Sequence, residues 1–334
     1  MGITAKELAK KMGISAAAVS MALNDKPGVS AATRKKIKHE AEKYGYDFSK
    51  IKASAIKNGS IYFVIYKKNG VVVADTPFYA ELSEGISNEC KAQGYKLKVQ
   101  YYYESDFTMS DLEAIQYSDC IGVIILATEL TPSDLKPFLT LPVPVVILDS
   151  YYETIDRDFV TINNVQGAYR ATQYLIRKVK SQPGYLMGSY RIQNFKERQE
   201  GFRKAVHENG MSRSQSIIHE LSPSVEGAYL DMCDILKNKD YLARCYFADN
   251  DLIAAGAIRA FKEFGYRIPD DIAVVGFDNL PISQIIEPSL STINVPKAAL
   301  GGEAVKRLIM RIQDPKLAYT RIQITSSLVD RYSV

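Results

Sequence analysis

From Ile61 onward, short apolar β-branched runs alternate with longer stretches in which apolar positions recur every three or four residues. The short runs predict strands at 61–66, 97–103, 122–127, 144–149, 159–163, 183–188, 216–221, 244–249 and 272–278. Helical periodicity predicts helices over Tyr79–Gln93, Val165–Lys178, Phe195–Asn209 and Leu252–Phe264. Alternation of this kind implies parallel sheets with helices on both faces. Nine or more strands fit two doubly wound lobes better than one sheet. Ligands of such folds lie at the carboxyl ends of the strands, which between two facing lobes is a cleft that can close.

The first 57 residues follow a different pattern. Thr4-Ala5-Lys6-Glu7 has the form of a capping box, opening a helix that runs to about Met12, where Gly13 supplies a left-handed turn. Ser15 is a second N-cap for a helix to about Asn24, and a third helix runs from Ser30 to Tyr44-Gly45. Two short helices across a tight turn, then a third, describe a helix-turn-helix unit. In the second helix Ala18, Val19, Ala22 and Leu23 share one face, suited to packing against Leu8 and Ala9. Ala16, Ala17, Ser20, Met21 and Asn24 share the other, the face that enters the major groove in a DNA-binding unit.

Charge supports this division. Residues 1–57 hold 12 Lys and Arg against 5 Asp and Glu, while the remainder holds 30 against 33. A basic head on a mildly acidic body suits a polyanionic partner. Overall composition, 46% hydrophobic and 24% charged, is that of a soluble globular protein. The longest apolar runs, such as Ile121–Ala127, fall short of a membrane span, and Lys6, Glu7, Lys10 and Lys11 interrupt any signal-peptide core, so a cytoplasmic protein without a membrane partner is expected. The four cysteines (Cys90, Cys120, Cys233, Cys245) and three histidines (His39, His207, His219) match no metal spacing. No nucleophile elbow or phosphate-cradling loop is present, so neither catalysis nor a cofactor is expected; Gly301-Gly302 reads as a hinge or helix start.

The stretch from Thr4 to Tyr46 resembles the head of the lactose-repressor/galactose-repressor (LacI/GalR) family of bacterial transcription regulators. The resemblance rests on Ala9, Gly13-Ile14-Ser15, Val19-Ser20, Leu23-Asn24, Val29-Ser30, Thr33-Arg34 and Tyr44-Gly45-Tyr46. It continues through TPFYAELSEGI, PVVILD, FVTINNVQGAYRATQYLI, ERQEGFRKAV, YFADNDLIAAGAIRAFKEFGYRIPDDIAVVGFDN and SLSTINVP. It implies a small all-α helix-turn-helix head at 1–47, a hinge or linker at 48–60, and a two-lobed, periplasmic-binding-protein-like α/β body at 61–334. Lobe 1 is expected at about 61–160 plus 291–319, and lobe 2 at about 163–288 plus 320–334.

The resemblance also implies roles. Residues 15–24 become the recognition helix, with Thr4, Ser15, Ser20, Asn24, Ser30 and Thr33 facing phosphate or base edges; Ala16, Ala17, Met21 and Lys26 join them on that surface. Arginine often stands in the family where this chain has Met21, so the bidentate grip on guanine is missing and phosphate contacts from Lys6, Lys26, Arg34, Lys35 and Lys38 gain weight. Ala53 and Ile56 are the best match to the family's minor-groove hinge, with a flexible linker as the alternative. Phe78, Tyr79, Asp149, Arg198, Phe247, Asn250, Asp251 and Asp278 match positions lining the effector cleft; Asn164, Arg191 and Asn194, in or beside a segment that departs from the family pattern, are second-rank candidates. Asp149 and Asp278 could instead cap turns, Asp251 could cap its helix, and Arg198 could pair with Glu197 or Glu200 at the surface. KVKSQPGYLMGSY departs from the family pattern, and KKNGVVVADTPFY predicts a longer first strand–helix loop.

The expectation is a dimeric repressor that binds double-stranded operator DNA, associates with the nucleoid when bound, and answers to a small effector, foremost a sugar or sugar derivative. The alternatives are a nucleobase or protein co-effector, or a small-molecule sensor in which the head is vestigial.

Overall fold

A computed structural model describes residues 3–23, 28–46, 48, 59–68, 70, 72–73 and 77–334. Three helices form the head: α1 (Ala5–Met12), α2 (Ala16–Leu23) and α3 (Ala31–Lys43). The capping box forms as its spacing predicts, with the Glu7 amide donating to Thr4 Oγ1 (3.3 Å) and the Thr4 amide to Glu7 Oε2 (2.8 Å). Gly13 takes the left-handed conformation at φ 67°, which turns the chain into α2. Ser15 and Ser30 cap α2 and α3 by accepting from the amides of Ala18 and Thr33. Leu8, Ala9, Val19, Ala22, Leu23, Ile37 and Ala41 make a separate core, so the head is packed independently of the lobes.

The body contains β1 (Ser60–Lys67), α4 (Pro77–Ala92), β2 (Lys96–Tyr103), α5 (Met109–Gln116), β3 (Cys120–Leu126), α6 (Pro132–Leu135), β4 (Val145–Leu148) and β5 (Asp158–Ile162). The chain then crosses to α7 (Asn164–Val179), β6 (Gly184–Gly188), α8 (Gln193–Glu208), β7 (Ile218–Leu221), α9 (Val225–Lys237), β8 (Cys245–Ala248), α10 (Asp251–Glu263), β9 (Ala273–Asp278), α11 (Ile282–Ile285) and β10 (Ser291–Asn294). It closes with α12 (Lys297–Gln313), β11 (Arg321–Ile324) and β12 (Ser327–Val329).

Two six-stranded sheets result, ordered β2-β1-β3-β4-β5-β11 and β7-β6-β8-β9-β10-β12. Pairing is parallel except between β10 and β12. Sheet interiors explain the apolar runs: in β1, Ile61, Phe63 and Ile65 face one core while Tyr62, Val64 and Tyr66 face another.

Two lobe boundaries differ from those expected. Residues 291–294 form β10, which pairs with β9 in the second sheet, so this crossover lies at 295–296. The segment 321–329, expected wholly in lobe 2, splits: β11 pairs with β5 in the first sheet and β12 with β10 in the second. An alternating run specifies a strand but not which of two similar sheets receives it.

Gly301 lies within α12, not at a hinge or helix start. It and Gly85 allow backbone contact between α12 and α4. A Cβ at Gly85 would stand 2.1 Å from the Ala298 carbonyl oxygen, and one at Gly301 2.4 Å from that of Leu82. Gly85→Ala therefore forces the helices apart, with an expected loss of about 1–3 kcal/mol. A lower urea midpoint at unchanged slope would show it; an unchanged midpoint would contradict the contact.

Candidate functional site

The strand order places the first switch point of each sheet between its β1-type and β3-type strands, and the carboxyl ends of both sheets face each other. Phe78, Tyr79, Thr128 and Asp149 come from the first lobe; Asn194, Phe195, Arg198, Asn250 and Asp278 come from the second. They surround a cavity of about 40 Å³, room for a few water molecules. A ligand of sugar or nucleobase size thus requires the walls to move apart.

Asp149 sits at the end of β4. Its Oδ2 accepts from the Thr128 hydroxyl (2.5 Å) and, across the cleft, from the Asn194 amide (3.1 Å). Its Oδ1 is buried and has no hydrogen-bond partner among the described residues. Burial, reinforced by the charge of Asp278, pushes the Asp149 carboxyl up to about 7 despite the opposing Thr128 hydroxyl and Arg198. Asp149 and Asp278 both hold positive φ, 72° and 101°, conformations that cost an L-residue energy and gather at functional sites.

Arg198 is 3% exposed and is not a surface ion pair with Glu197 or Glu200. Its Nε donates to Asn164 Oδ1 (3.0 Å), Nη1 to the Asp249 carbonyl and Nη2 to Asp278 Oδ1 (3.1 Å). The guanidinium stacks 3.8 Å from the Phe277 ring centroid. α8 carries it inward because Gly201 lets that helix touch α7: a Cβ there would lie 2.2 Å from the Val165 carbonyl oxygen. Beneath the cleft floor, Asp249 accepts from the Tyr185 hydroxyl and the Gly188 amide, and burial pushes its carboxyl up to about 7.

Four of the eleven expected cleft residues stand elsewhere. Phe247 is fully buried in the second lobe, stacked on Tyr185 at 5.5 Å, because strand alternation turns it away from the cleft. Asp251 is not the helix cap: Asn250 caps α10, accepting from the Ile253 amide (2.9 Å). Asp251 instead accepts from Thr292 Oγ1 (2.5 Å) and the Leu280 amide (2.7 Å), tying β10 and the loop after β9 to α10, with burial pushing its carboxyl up to about 8. Arg191 is exposed and pairs with Glu220 at 3.5 Å. Asn164 lies one layer deeper, donating to Asn194 Oδ1 (3.2 Å) and Glu197 Oε2 (3.0 Å), where it orients the side chains that reach the cleft.

Thr128 and Phe195 line the cleft without standing out in the sequence, although Thr128 directly follows a strand and the strand-end rule covers it. Glu129 is equally silent in the sequence; it accepts from the amides of Lys68 and Gly70 at Oε2 and of Val72 and Val73 at Oε1. This carboxylate shapes the loop after β1, bringing Val72 to the cleft wall.

In the head, Thr4, Ser15, Ala16, Ala17, Ser20, Ser30 and Thr33 are exposed. Met21 is half-buried, and a Cβ at Gly28 would lie 3.0 Å from its sulfur, so its thioether leans on that turn. Asn24, Lys26, Ala53 and Ile56 lie outside the described residues.

Comparison with known proteins assigns both parts. Residues 4–48 match the profile of the bacterial regulatory proteins, lacI family, and residues 172–334 that of a periplasmic binding protein-like domain. The chain is 31% identical over 337 residues to the HTH-type transcriptional repressor PurR of Mannheimia succiniciproducens, covering 99% of this chain and 98% of that one. It is 30% identical to the repressor of the same name from Pasteurella multocida over the same shares. Among solved structures, the transcriptional regulator CelR–cellobiose complex superimposes with a TM-score of 0.74 at 22% identity, covering 99% of this chain and 100% of that one. The lac repressor dimer bound to operator and the anti-inducer ONPF gives 0.70 at 21% identity, covering 100% of this chain and 99% of that one. These two likenesses establish the shared fold.

Proposed function

Because this chain belongs to the lacI family of bacterial regulatory proteins and is a DNA-binding transcriptional repressor, we propose that its hold on DNA is set by a small effector bound between the two lobes. The observation that carries this reading is the hydrogen bond from Asn194 to Asp149, which joins the lobes inside the cleft beside an unpaired carboxylate oxygen. A ligand that competes for Asp149 changes how the lobes meet, and any ligand with different affinity for the two arrangements shifts their balance. The acceptors Asp149, Asp278 and Asn250 suit the hydroxyls of a sugar or sugar derivative. A nucleobase is the second reading, favoured by Tyr79 and Phe195, which give the cleft an aromatic side chain on each lobe.

The working form is a homodimer in the bacterial cytoplasm, with two heads reading a near-palindromic operator. The exposed Ala16, Ala17 and Ser20 read it by close fit and methyl contact. Met21→Arg is expected to move preference toward guanine at one position of each half-site by about 1–3 kcal/mol per base contact, read from competition between duplexes. Unchanged preference would remove Met21 from the base edges.

A thermal-shift screen of sugars and nucleobases against the full chain tests the effector site. A ligand at 100 times its dissociation constant stabilises by about 2.7 kcal/mol, and the shift should vanish in Asp278→Asn. A shift that persists in both Asp278→Asn and Asp149→Asn would place the ligand outside the cleft.

A further inference from the structure

We propose that the effector carries a protonated amine, seated in the cleft against the unpaired Asp149 Oδ1 and the carboxylate of Asp278. This inference rests on the reading of the cleft as the effector site and names the chemistry of its occupant.

The charge arrangement carries it. Asp149 and Asp278 line the cleft, with Asp249 and Asp251 buried immediately behind. Among the described residues, Arg198 is the one cation hydrogen-bonded to any of these four side chains, and that bond goes to Asp278. Two further donors go to Asn164 and the Asp249 carbonyl, and its face to Phe277, so three of its five N–H groups, one on each nitrogen, are already held by the protein. Lys297, whose charge also acts on Asp278, pairs with Glu81 at 3.2 Å. An anionic effector, such as a sugar phosphate, would meet two carboxylates and an arginine already paired with one of them.

The groups facing Asp149 are Arg198 and Asp278 of the second lobe, Thr128 after β3, Asn194 on α8, Tyr79 on α4, and Tyr152 in its own following loop. Tyr79 and Tyr152 are held neutral, with burial pushing the first well above the usual phenol range and the second up to about 12. None supplies Asp149 with a cation of its own. A buried carboxylate in that position either keeps a proton or takes a positive partner. A hydroxyl replaces only part of the lost hydration; an ammonium supplies both the donor and the charge. Asp149, raised by burial to about 7, is partly protonated near neutral pH, so uptake of the amine releases a fraction of a proton.

The test compares the 2-amino hexoses D-glucosamine, D-galactosamine and D-mannosamine with their N-acetyl forms, the parent hexoses and D-glucose 6-phosphate. Calorimetry uses the full chain at pH 7 in two buffers of different ionisation enthalpy. At least one amino hexose is expected to bind about ten- to a hundred-fold more tightly than its N-acetyl and parent forms, as befits a charge-assisted bond, with net proton release. Asp149→Asn, which keeps the side chain's shape, should erase both the preference and the proton release. The wild-type comparison decides the matter even if that variant does not fold. Equal binding of amine and neutral forms, or no binding of any amino hexose, overturns the inference. A neutral hexose whose binding is lost in Asp149→Asn overturns the amine and leaves the cleft as the effector site. Binding unaffected by both Asp149→Asn and Asp278→Asn overturns the cleft reading itself.

Discussion

Arg198→Ala lowers the stability of the two-lobed body by about 3–5 kcal/mol, the cost of breaking a buried ion pair from one side. The change strands three groups at once: Asp278 Oδ1, the Asp249 carbonyl and Asn164 Oδ1 all lose a donor in a place with little access to water. It also vacates the face of Phe277. Arg198→Lys should recover only part of the loss, because one ammonium cannot reproduce three divergent donors on a planar fork. The deficit has a pH signature. Burial already raises the Asp278 carboxyl while Arg198 and Lys297 draw it back, so removing Arg198 raises it further. The unfolded chain releases this proton above about pH 4, and the variant's native state keeps it to higher pH than the wild type's, so the variant goes on losing stability with pH after the wild type has levelled off. Urea unfolding from pH 5 to 8 would show the two curves diverging with pH. Parallel curves would mean that Asp278 does not depend on Arg198.

Binding of the full chain to a specific duplex weakens by about 10⁴-fold between 50 and 200 mM salt. The head concentrates positive charge, with 12 Lys and Arg against 5 acids in residues 1–57. If each of two heads neutralises roughly four phosphates, the slope of log affinity against log salt is about −7. Lys35, exposed on the first turns of α3, contributes to that count. Lys35→Ala in both subunits should reduce the slope by about 2 and weaken all sequences alike, whereas Met21→Arg should change which sequence is preferred. A slope near zero would mean that the basic head meets no phosphates.

Local chemistry explains which features the sequence made legible. The capping box at Thr4 and Glu7, the left-handed Gly13 and the serine caps each involve neighbours a few residues apart, and each forms as its spacing indicates. All nine strands predicted between 61 and 278 appear: inner strands such as β4, β5, β8 and β9 are buried on both faces and read as apolar runs, while the edge strands β2 and β7 are exposed on at least one face. Sheet membership is a long-range property, which is why residues 291–294 and 321–324 join the other lobe from the one expected, while 327–329 join the expected one.

The cleft was legible where one rule sufficed. Asp149 and Asn250 follow strand ends, Asp278 closes β9, and all three reach it, as do Phe78 and Tyr79 at the start of α4. The same rule failed for Phe247, which lies before the strand end and on the wrong face, and for Asp251, one residue past the true cap. Asn164 and Glu129 act through other groups and leave no signature in spacing; only the folded chain brings them to Arg198 and to the loop after β1.

On the proposed reading, the head recognises a specific operator as one half of a two-fold assembly. Selection from a pool of random duplexes by the full chain tests it most directly. We expect a near-palindromic winner, bound at least about 10³-fold more tightly than the starting pool, with binding abolished by deletion of residues 1–57. Enrichment of no common sequence, or binding that survives the deletion, would contradict it.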